Sequence, residues 1–146
     1  MDSSRVFDLI KELAVFEEAR DEVELTVEKL REDAFGSNRI VEIYVAELGD
    51  EIAGAALIYE KYSTWKGRSI HLEDLIVREE YRGEGIGSEL FEFIIRLSKE
   101  RGYGRMEWQV LDWNEKAIAF YEKYNAIFLE EWLDCRLTST QIQKFN

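Results

Sequence analysis

Three of the nine glycines in this chain fall within five positions, in the stretch EEYRGEGIGSEL (79–90). Gly83, Gly85 and Gly87 follow a β-branched run and precede an amphipathic run, so we expect them to join a strand to the first turn of a helix. The N–H groups of such a turn have no intrahelical partners and carry the positive end of the helix dipole. Glycines also lack the Cβ that would keep a ligand's oxygens at a distance. The loop is therefore typical of a phosphate-binding site.

Other readings of the glycine loop are weaker but stay open. A dinucleotide fingerprint needs G-x-G-x-x-G, whereas this loop has G-x-G-x-G with Ser88 at the final position. A Walker loop needs a lysine after its glycines, and GIGSEL has none there. A glycine-rich turn without a ligand is the remaining alternative, although an ordinary turn between a strand and a helix seldom needs three glycines.

The chain has one histidine, His71, and one cysteine, Cys135, which excludes a Cys/His zinc site within one chain and most Cys–His catalysis. We expect His71 to be a packed strand residue and Cys135 a small apolar strand residue. In the alternating segment SIHLEDLIV, Glu73 and Asp74 should face opposite sides of a strand. Only one of the two carboxylates could then reach a substrate.

Composition narrows the class of protein. A chain of 146 residues predicts a single domain over 1–146, and a formal net charge of −12 disfavours nucleic acid and anionic membranes as partners. The acidic run FEEARDEVE (16–24) is either a rim that attracts cations or a solvated face. No apolar run approaches the roughly 20 residues that cross a bilayer, and the start MDSSRVFDL does not have the pattern of a secretory signal. These features predict a cytoplasmic protein.

Hydrophobic periodicity predicts the elements that position these residues. A first helix carries apolar residues from Val6 to Ala14 behind the cap candidates Asp2, Ser3 and Ser4. Thr26 should cap a second helix, which we expect Gly36 to end in a left-handed conformation. Three antiparallel strands follow, RIVEIYVAEL, EIAGAALIYEKY and RSIHLEDLIV, with the turn signals GD and WKG between them.

The second half of the chain predicts a strand, helix, strand unit and a further helix. Gly102 should close the third helix before the strand RMEWQV, and Asn114 should cap a fourth helix ahead of two last strands, AIFLEE and WLDCRLT. The expected buried face of the third helix consists of Ile86, Leu90, Phe93, Ile94 and Leu97. The whole pattern predicts an α+β fold with a mixed, mostly antiparallel sheet flanked by helices.

Two sequence blocks carry a resemblance to a known family. The motif R/Q-x-x-G-x-G/A spans Arg82 to Gly87 after LEDLIV, and DWNEKAIAFYEKYNA follows it. These blocks resemble the GNAT superfamily of acetyl-CoA-dependent N-acetyltransferases, in particular its diamine acetyltransferase branch. Within that branch, YSTWKGRSIHLED and VLDWNE are most similar to the thialysine N-ε-acetyltransferases. The resemblance covers about residues 9 to 137.

The resemblance implies the GNAT fold, acetyl-CoA as cosubstrate and no metal. It implies that the backbone of Leu75, Ile76 and Val77 pairs with the pantetheine arm as an added strand would. Asn114 would contact the pantetheine side as well as capping its helix. The residues implied around the CoA pyrophosphate are Arg82, Gly83, Glu84, Gly85, Ile86, Gly87 and Ser88.

The same resemblance assigns the catalytic groups. A primary alkylamine has a pKa of about 10.4, so only about one molecule in a thousand is neutral and able to attack a thioester at pH 7. Glu73 would therefore act as a base through water or as an anchor for the substrate's cationic end. Tyr121 would donate a proton to the leaving thiolate, with an ordinary core role as the alternative. Both substrates would bind together and react directly.

For the amine, the resemblance aligns Glu17 and Trp65 with substrate contacts, although either could be ordinary surface. Ser63 stands where polyamine-type enzymes have an acid, which favours thialysine, lysine or ornithine over a long polycation. The alternatives are a spermidine or other diamine acetyltransferase, a CoA-binding module without catalysis, and a dinucleotide-binding oxidoreductase.

The chain departs from the family pattern in two places. The usual first strand, F-x-I-R, is missing before the first helix, which predicts a shorter sheet with an exposed edge at 40–48. A second copy of the chain could cover that edge, since a homodimer is usual in the family. Tyr124 stands where relatives often have an arginine that contacts CoA, and Lys123 beside it is a candidate substitute.

Overall fold

Two helices come first among the described residues, as the periodicity of the sequence predicts. The computed structural model describes residues 3–146, and the cap candidate Asp2 lies outside them. Helix α1 spans Ser3–Phe16 and α2 spans Val27–Phe35, with a short 3-10 turn at Arg20–Glu22 between them. The Thr26 hydroxyl accepts a hydrogen bond from the Lys29 N–H at 3.2 Å, which confirms the predicted cap of α2.

The end of α2 differs from the prediction. Gly36 has φ −70° and ψ −180°, an extended conformation, so the expected left-handed cap is wrong. Its N–H still donates to the Glu32 carbonyl at 2.8 Å. A Cβ at this position would lie 2.5 Å from that carbonyl oxygen. Glycine is therefore suited to this position because the chain passes close to the last turn of α2.

Four strands form one sheet in the order β1-β2-β3-β4: β1 Glu42–Leu48, β2 Glu51–Ser63, β3 Gly67–Val77 and β4 Met106–Glu107. The first two pairings are antiparallel and the last is parallel, which confirms the mixed, mostly antiparallel sheet. Strand β4 is shorter than the predicted RMEWQV, because it pairs with β3 only at two positions.

Helices cover both faces of this sheet. The apolar run over residues 52–58, in the first half of β2, is buried throughout, as expected for a strand packed on both sides. The cluster under α1 and α2 consists of Val6, Phe7, Leu9, Leu30, Ala34, Ile43, Ile52, Ala55, Leu57 and Ile76. Helix α3, Ile86–Glu100, packs against β1, β2 and β3.

The buried face of α3 is rotated from the predicted one. Phe91 is fully buried and meets Trp108 edge to face at 5.1 Å between ring centroids. Phe93, predicted to be buried, is 39% exposed and instead packs beside Tyr44 at 4.9 Å. The stripe that contacts the sheet follows Ile86, Leu90, Phe91, Ile94 and Ser98. Two aromatic residues two positions apart point in different directions around a helix, and the sequence alone did not decide which of them is the fully buried one.

The chain divides into two compact units, one up to Gln109 and one over Val110–Asn146. In the second unit, α4 spans Glu115–Glu122 and α5 spans Ser139–Gln143. The Asn114 side chain accepts a hydrogen bond from the Ala117 N–H at 3.2 Å, which confirms its predicted cap. The single domain predicted over 1–146 stays a prediction.

The two strands predicted after α4 are wrong. AIFLEE and WLDCRLT form no strand, and Ile127 and Leu133 are each 85% exposed. Cys135 is likewise exposed and outside any strand, contrary to the prediction for it. A β-rich sequence becomes a strand only beside a pairing partner, and these segments have none among the described residues. None of the helices in residues 3–146 is long and apolar enough to cross a bilayer.

The close packing of α3 on the sheet at Gly54 can be tested. A Cβ on Gly54 would lie 2.7 Å from the Ile76 carbonyl oxygen and 3.1 Å from Leu90 Cδ1. We expect Gly54→Ala to lower the free energy of unfolding by about 1–3 kcal/mol, because α3 or β3 must shift. Gly87→Ala is the matched control, since its added Cβ would meet Val77 at an ordinary 3.6 Å. Equal stabilities of the two variants in urea would contradict this packing.

Candidate active site

The glycine loop joins β3 to α3, as the sequence predicts. After Val77 the chain makes a 3-10 turn at Glu79–Tyr81 and reaches α3 at Ile86. Gly83 and Gly85 have φ of +83° and +85°, in the left-handed region that favours glycine. Gly85 is the N-cap residue of α3 and offers no side chain to cap the first N–H groups. Those N–H groups can therefore hydrogen-bond to an anion.

The space in front of this loop suits a diphosphate. A Cβ built on Gly83 or Gly85 would have no atom within 4 Å. Arg82 holds the base of the loop, because its Nε donates to the Val77 carbonyl at 3.0 Å and its guanidinium lies 5.3 Å from the Phe16 ring centroid. The residues from Gly83 to Ser88 thus fit the CoA pyrophosphate that the resemblance implies.

Strand β3 offers a free backbone edge next to the loop. Strand β4 pairs with β3 only at Ile70 and His71, while β3 continues to Val77. Beyond His71, no strand of the described residues pairs with that edge. The peptide groups of the stretch Leu75, Ile76 and Val77 pair with β2 on the other side only. Such an edge can accept the amide groups of a pantetheine arm as an added strand.

A cavity of about 430 Å³ opens beside the same strand. Its lining combines an apolar wall with five carboxylates and contains no lysine, arginine or histidine. The apolar residues are Ile10, Leu13, Ala14, Ala19, Val23, Leu25 and Leu57, and the acids are Glu17, Glu22, Glu24, Glu73 and Asp74. A cavity of this size with a negatively charged lining suits a small cationic molecule.

Glu73 and Asp74 both line this cavity, so the prediction that only one of them could reach a substrate is wrong. The reason is a bulge in β3. Leu57 of β2 pairs with Asp74 and the next residue, Ile58, pairs with Leu72, which leaves Glu73 as an extra residue without a partner in β2. A bulge interrupts the alternation of side chains and re-aims those beside it.

The two neighbouring carboxylates differ in acidity. Burial raises the pKa of Asp74 to about 7, and the charges of Glu73 and Glu17 add to this effect. For Glu73, a hydrogen bond from His71 holds the pKa below its usual value despite partial burial. Burial also raises the pKa of Glu17. The cavity therefore contains one carboxyl that exchanges its proton near neutral pH and one that is held as an anion.

The structure brings some of the predicted residues together and leaves others apart. Glu17 and Glu73 lie in the same cavity lining, whereas Trp65 lies in the β2–β3 turn, is 79% exposed and is not part of the lining. The hydroxyl of Ser63 accepts hydrogen bonds from the backbone N–H groups of that turn. Tyr121 is buried in α4 of the second unit. The roles of these residues stay predictions.

Sequence reasoning missed three cavity acids. Asp74 was assigned to the wrong side of its strand, and Glu22 and Glu24 were not singled out. A signal for the last two was available in the acidic run 16–24, for which a cation-attracting rim was one of two interpretations. The structure places Glu17, Glu22 and Glu24 of that run in the lining.

Comparisons with known proteins agree with this geometry. The acetyltransferase (GNAT) family matches residues 5–126. A thialysine N-ε-acetyltransferase of Caenorhabditis elegans is 38% identical over 146 residues, with 98% of this chain and 90% of that protein covered. A human spermidine/spermine N(1)-acetyltransferase-like protein is 33% identical over 135 residues, with 88% of this chain but 19% of that protein covered. An integron cassette protein from the mobile metagenome of V. cholerae has the same fold, with a TM-score of 0.77, 21% identity and coverage of 99% and 93% of the two chains.

The raised pKa of Asp74 predicts how its removal affects stability. A carboxyl whose pKa is higher in the folded state favours folding when protonated, so its ionisation destabilises the protein progressively between about pH 4 and pH 7. We expect Asp74→Asn to raise the free energy of unfolding relative to the parent by up to about 4 kcal/mol at pH 8, and by much less at pH 4.5. Denaturant titrations at the two pH values measure the difference. Asp8→Asn, at an exposed site on α1, is the control, and a pH-independent effect of Asp74→Asn would contradict the assignment.

Proposed function

The chain belongs to the acetyltransferase (GNAT) family, and we propose that this N-acetyltransferase moves the acetyl group of acetyl-CoA to a primary amine of a small cationic molecule. The observation that carries the proposal is the cavity of about 430 Å³ lined by five carboxylates and no basic side chain. A carboxylate-lined cavity attracts ammonium groups and repels the phosphates of the donor. Acceptor and donor would therefore occupy different surfaces of the same strand, β3.

The donor would lie along the free edge of β3 and over the glycine loop. The backbone of Leu75, Ile76 and Val77 would pair with the pantetheine arm, and the N–H groups from Gly83 to Ser88 would hold the pyrophosphate. Asn114 would contact the pantetheine side. Bound there, acetyl-CoA supplies the acetyl group as a thioester, and both substrates are held together so that no covalent intermediate with the protein is needed.

The acceptor is a thialysine- or lysine-like amino acid or a diamine. The relative named thialysine N-ε-acetyltransferase supports the amino acid. The lining supports the diamine, because it has five anions and no cation to pair with an α-carboxylate. A spermidine or spermine acetyltransferase is the alternative, for which the human relative is an argument. Glu17 and Glu73 would bind the cationic groups, and Trp65 would contact the tail of a longer amine.

The reaction needs two proton movements. One proton must leave the substrate ammonium before attack, and carboxylates of the cavity can accept it. The second leaves the nitrogen as the amide forms: the Tyr121 hydroxyl would donate its proton to the departing sulfur, and the proton from the nitrogen would restore that hydroxyl through solvent. The Tyr121 side chain is buried, and its phenolic O–H is of the kind that donates hydrogen bonds.

We further propose that the protein is a cytoplasmic homodimer. Strand β1 is the first strand of the sheet order and pairs only with β2 among the described residues, so its outer edge can be covered by a second copy. The one cysteine is free and exposed, which fits a reducing compartment.

The class of acceptor can be tested with matched amines. L-Lysine and 1,5-diaminopentane differ only in the α-carboxylate, so the ratio of their kcat/KM values measures the cost of placing an anion in the acidic cavity. We expect the diamine to be preferred by about 10-fold or more, since an unpaired charge in a partly buried site costs at least about 1.4 kcal/mol. Thialysine, ornithine and spermidine complete the panel, with product mass showing which nitrogen is acetylated. Absence of thiol release with every amine would contradict the proposed function.

The role of Tyr121 can be separated from its packing. Tyr121→Phe removes the hydroxyl and keeps the ring, so we expect kcat to fall about 10²-fold while the Kd of CoA changes less than about 3-fold. Tyr62→Phe, at a side chain that is 72% exposed in β2, is the control and should leave both unchanged. Equal losses of turnover and CoA affinity for Tyr121→Phe would indicate a packing role.

A further inference from the structure

The only histidine of the chain is fixed beside the cavity acids. His71 is 9% exposed and lies in the middle of the sheet, where it pairs with Tyr59 of β2 and Glu107 of β4. Its ring packs against the Tyr59 ring with a centroid separation of 4.8 Å and an interplanar angle of 32°. Strands on both sides and a stacked aromatic ring leave the imidazole little freedom to move.

One nitrogen of this imidazole has a partner and the other does not. His71 Nε2 lies 3.3 Å from Glu73 Oε2, whereas Nδ1 is buried and has no hydrogen-bond partner among the described residues. A proton on Nδ1 would be a buried donor without an acceptor, which is costly. The tautomer with its hydrogen on Nε2 avoids this and donates that hydrogen to the Glu73 carboxylate.

Spacing along β3 explains why His71 reaches Glu73, because residues two apart on a strand share a face. The bulge at Glu73 then brings Asp74, which pairs with Leu57, to the cavity that Glu73 lines. The charged residues that line the cavity with Asp74 are Glu73 from its own strand and Glu17, Glu22 and Glu24 from the segment after α1, all of which are acids. No basic residue of the cavity lining offers Asp74 a partner. Glu73 therefore has a hydrogen-bond donor beside it, whereas Asp74 has only other acids.

We propose that His71 is a positioning residue that fixes Glu73 as the anion anchoring the substrate's cation, and so leaves Asp74 as the carboxylate that accepts the reacting ammonium's proton. This assignment rests on the proposed function. The N–H bond of the ammonium breaks, an O–H bond forms at an Asp74 carboxyl oxygen, and the substrate becomes the neutral amine. Asp74 later releases this proton to solvent. Neighbouring groups whose surroundings push their acidities apart commonly divide the roles in this way.

Kinetics of two carboxyl variants test the division of roles. Glu73→Gln should raise KM for the amine by about 10-fold or more and change kcat less than about 5-fold, because an anchor is lost. Asp74→Asn should lower kcat by about 10²-fold or more and remove the limb of the pH profile near pH 7, because the proton acceptor is lost. The reverse pattern, with kcat lost in Glu73→Gln and retained in Asp74→Asn, would overturn the proposal.

Two variants of the histidine test the positioning role. His71→Phe keeps a ring against Tyr59 and removes the donor, whereas His71→Gln keeps an N–H donor at a similar distance from the backbone. We expect KM for the amine to rise about 10-fold in the first and to return to within about 3-fold of the parent in the second. The thermal unfolding midpoints of both variants are measured alongside their KM values. If KM rises equally in both variants, and each rise parallels a loss of thermal stability, the histidine serves packing only.

A spectroscopic measurement separates this proposal from the proposed function. Since the chain has one histidine, ¹⁵N-labelled protein gives a single set of imidazole signals without assignment, and neither substrate is needed. We expect the Nε2–H tautomer in the parent, a clear change of the Nε2 signal in Glu73→Gln and little change in Asp74→Asn. An Nε2 signal insensitive to Glu73→Gln in an active enzyme would overturn the positioning role alone. A parent that turns over no amine would overturn the proposed function and the assignment of roles, even with the His71–Glu73 hydrogen bond present.

Discussion

The bulge in β3 opposite Leu57 and Ile58 is the constraint on which the candidate site depends. One extra residue in this strand brings Glu73 and Asp74 to the same cavity, which strict alternation would prevent. The arrangement is unfavourable by itself, because two adjacent carboxyls are partly removed from water and close to Glu17. A sheet covered by helices on both faces holds the bulge in place.

In the function proposed here, the acidity of the cavity and the free edge of β3 would let one strand serve both substrates. Its side chains present anions to a cationic amine, and its backbone beyond His71 has no neighbouring strand on the β4 side among the described residues. A bound cation would also offset the mutual repulsion of the carboxylates, so that amine binding and proton uptake are coupled. The net charge of −12 means that the chain as a whole also attracts cations.

Local signals were predicted more reliably than those that depend on distant partners. The caps at Thr26 and Asn114 were correct because each depends on a side chain and an N–H group three residues away. The strands expected in AIFLEE and WLDCRLT were wrong because a strand requires a paired neighbour. Phe93 was chosen over Phe91 because periodicity gives the stripe of a helix but not its rotation against the sheet.

The sequence by itself determined the glycine loop, the caps at Thr26 and Asn114, the order of helices and strands from α1 to α4 and the family, because these depend on residue type and short spacing. Tertiary structure alone decided which acids share a cavity. Glu17 follows α1 whereas Glu73 and Asp74 lie on β3, and their meeting depends on a register shift between two strands that no local pattern records. Their different acidities follow from that meeting, because the pKa of a carboxyl is set by its burial and by the charges and hydrogen bonds around it.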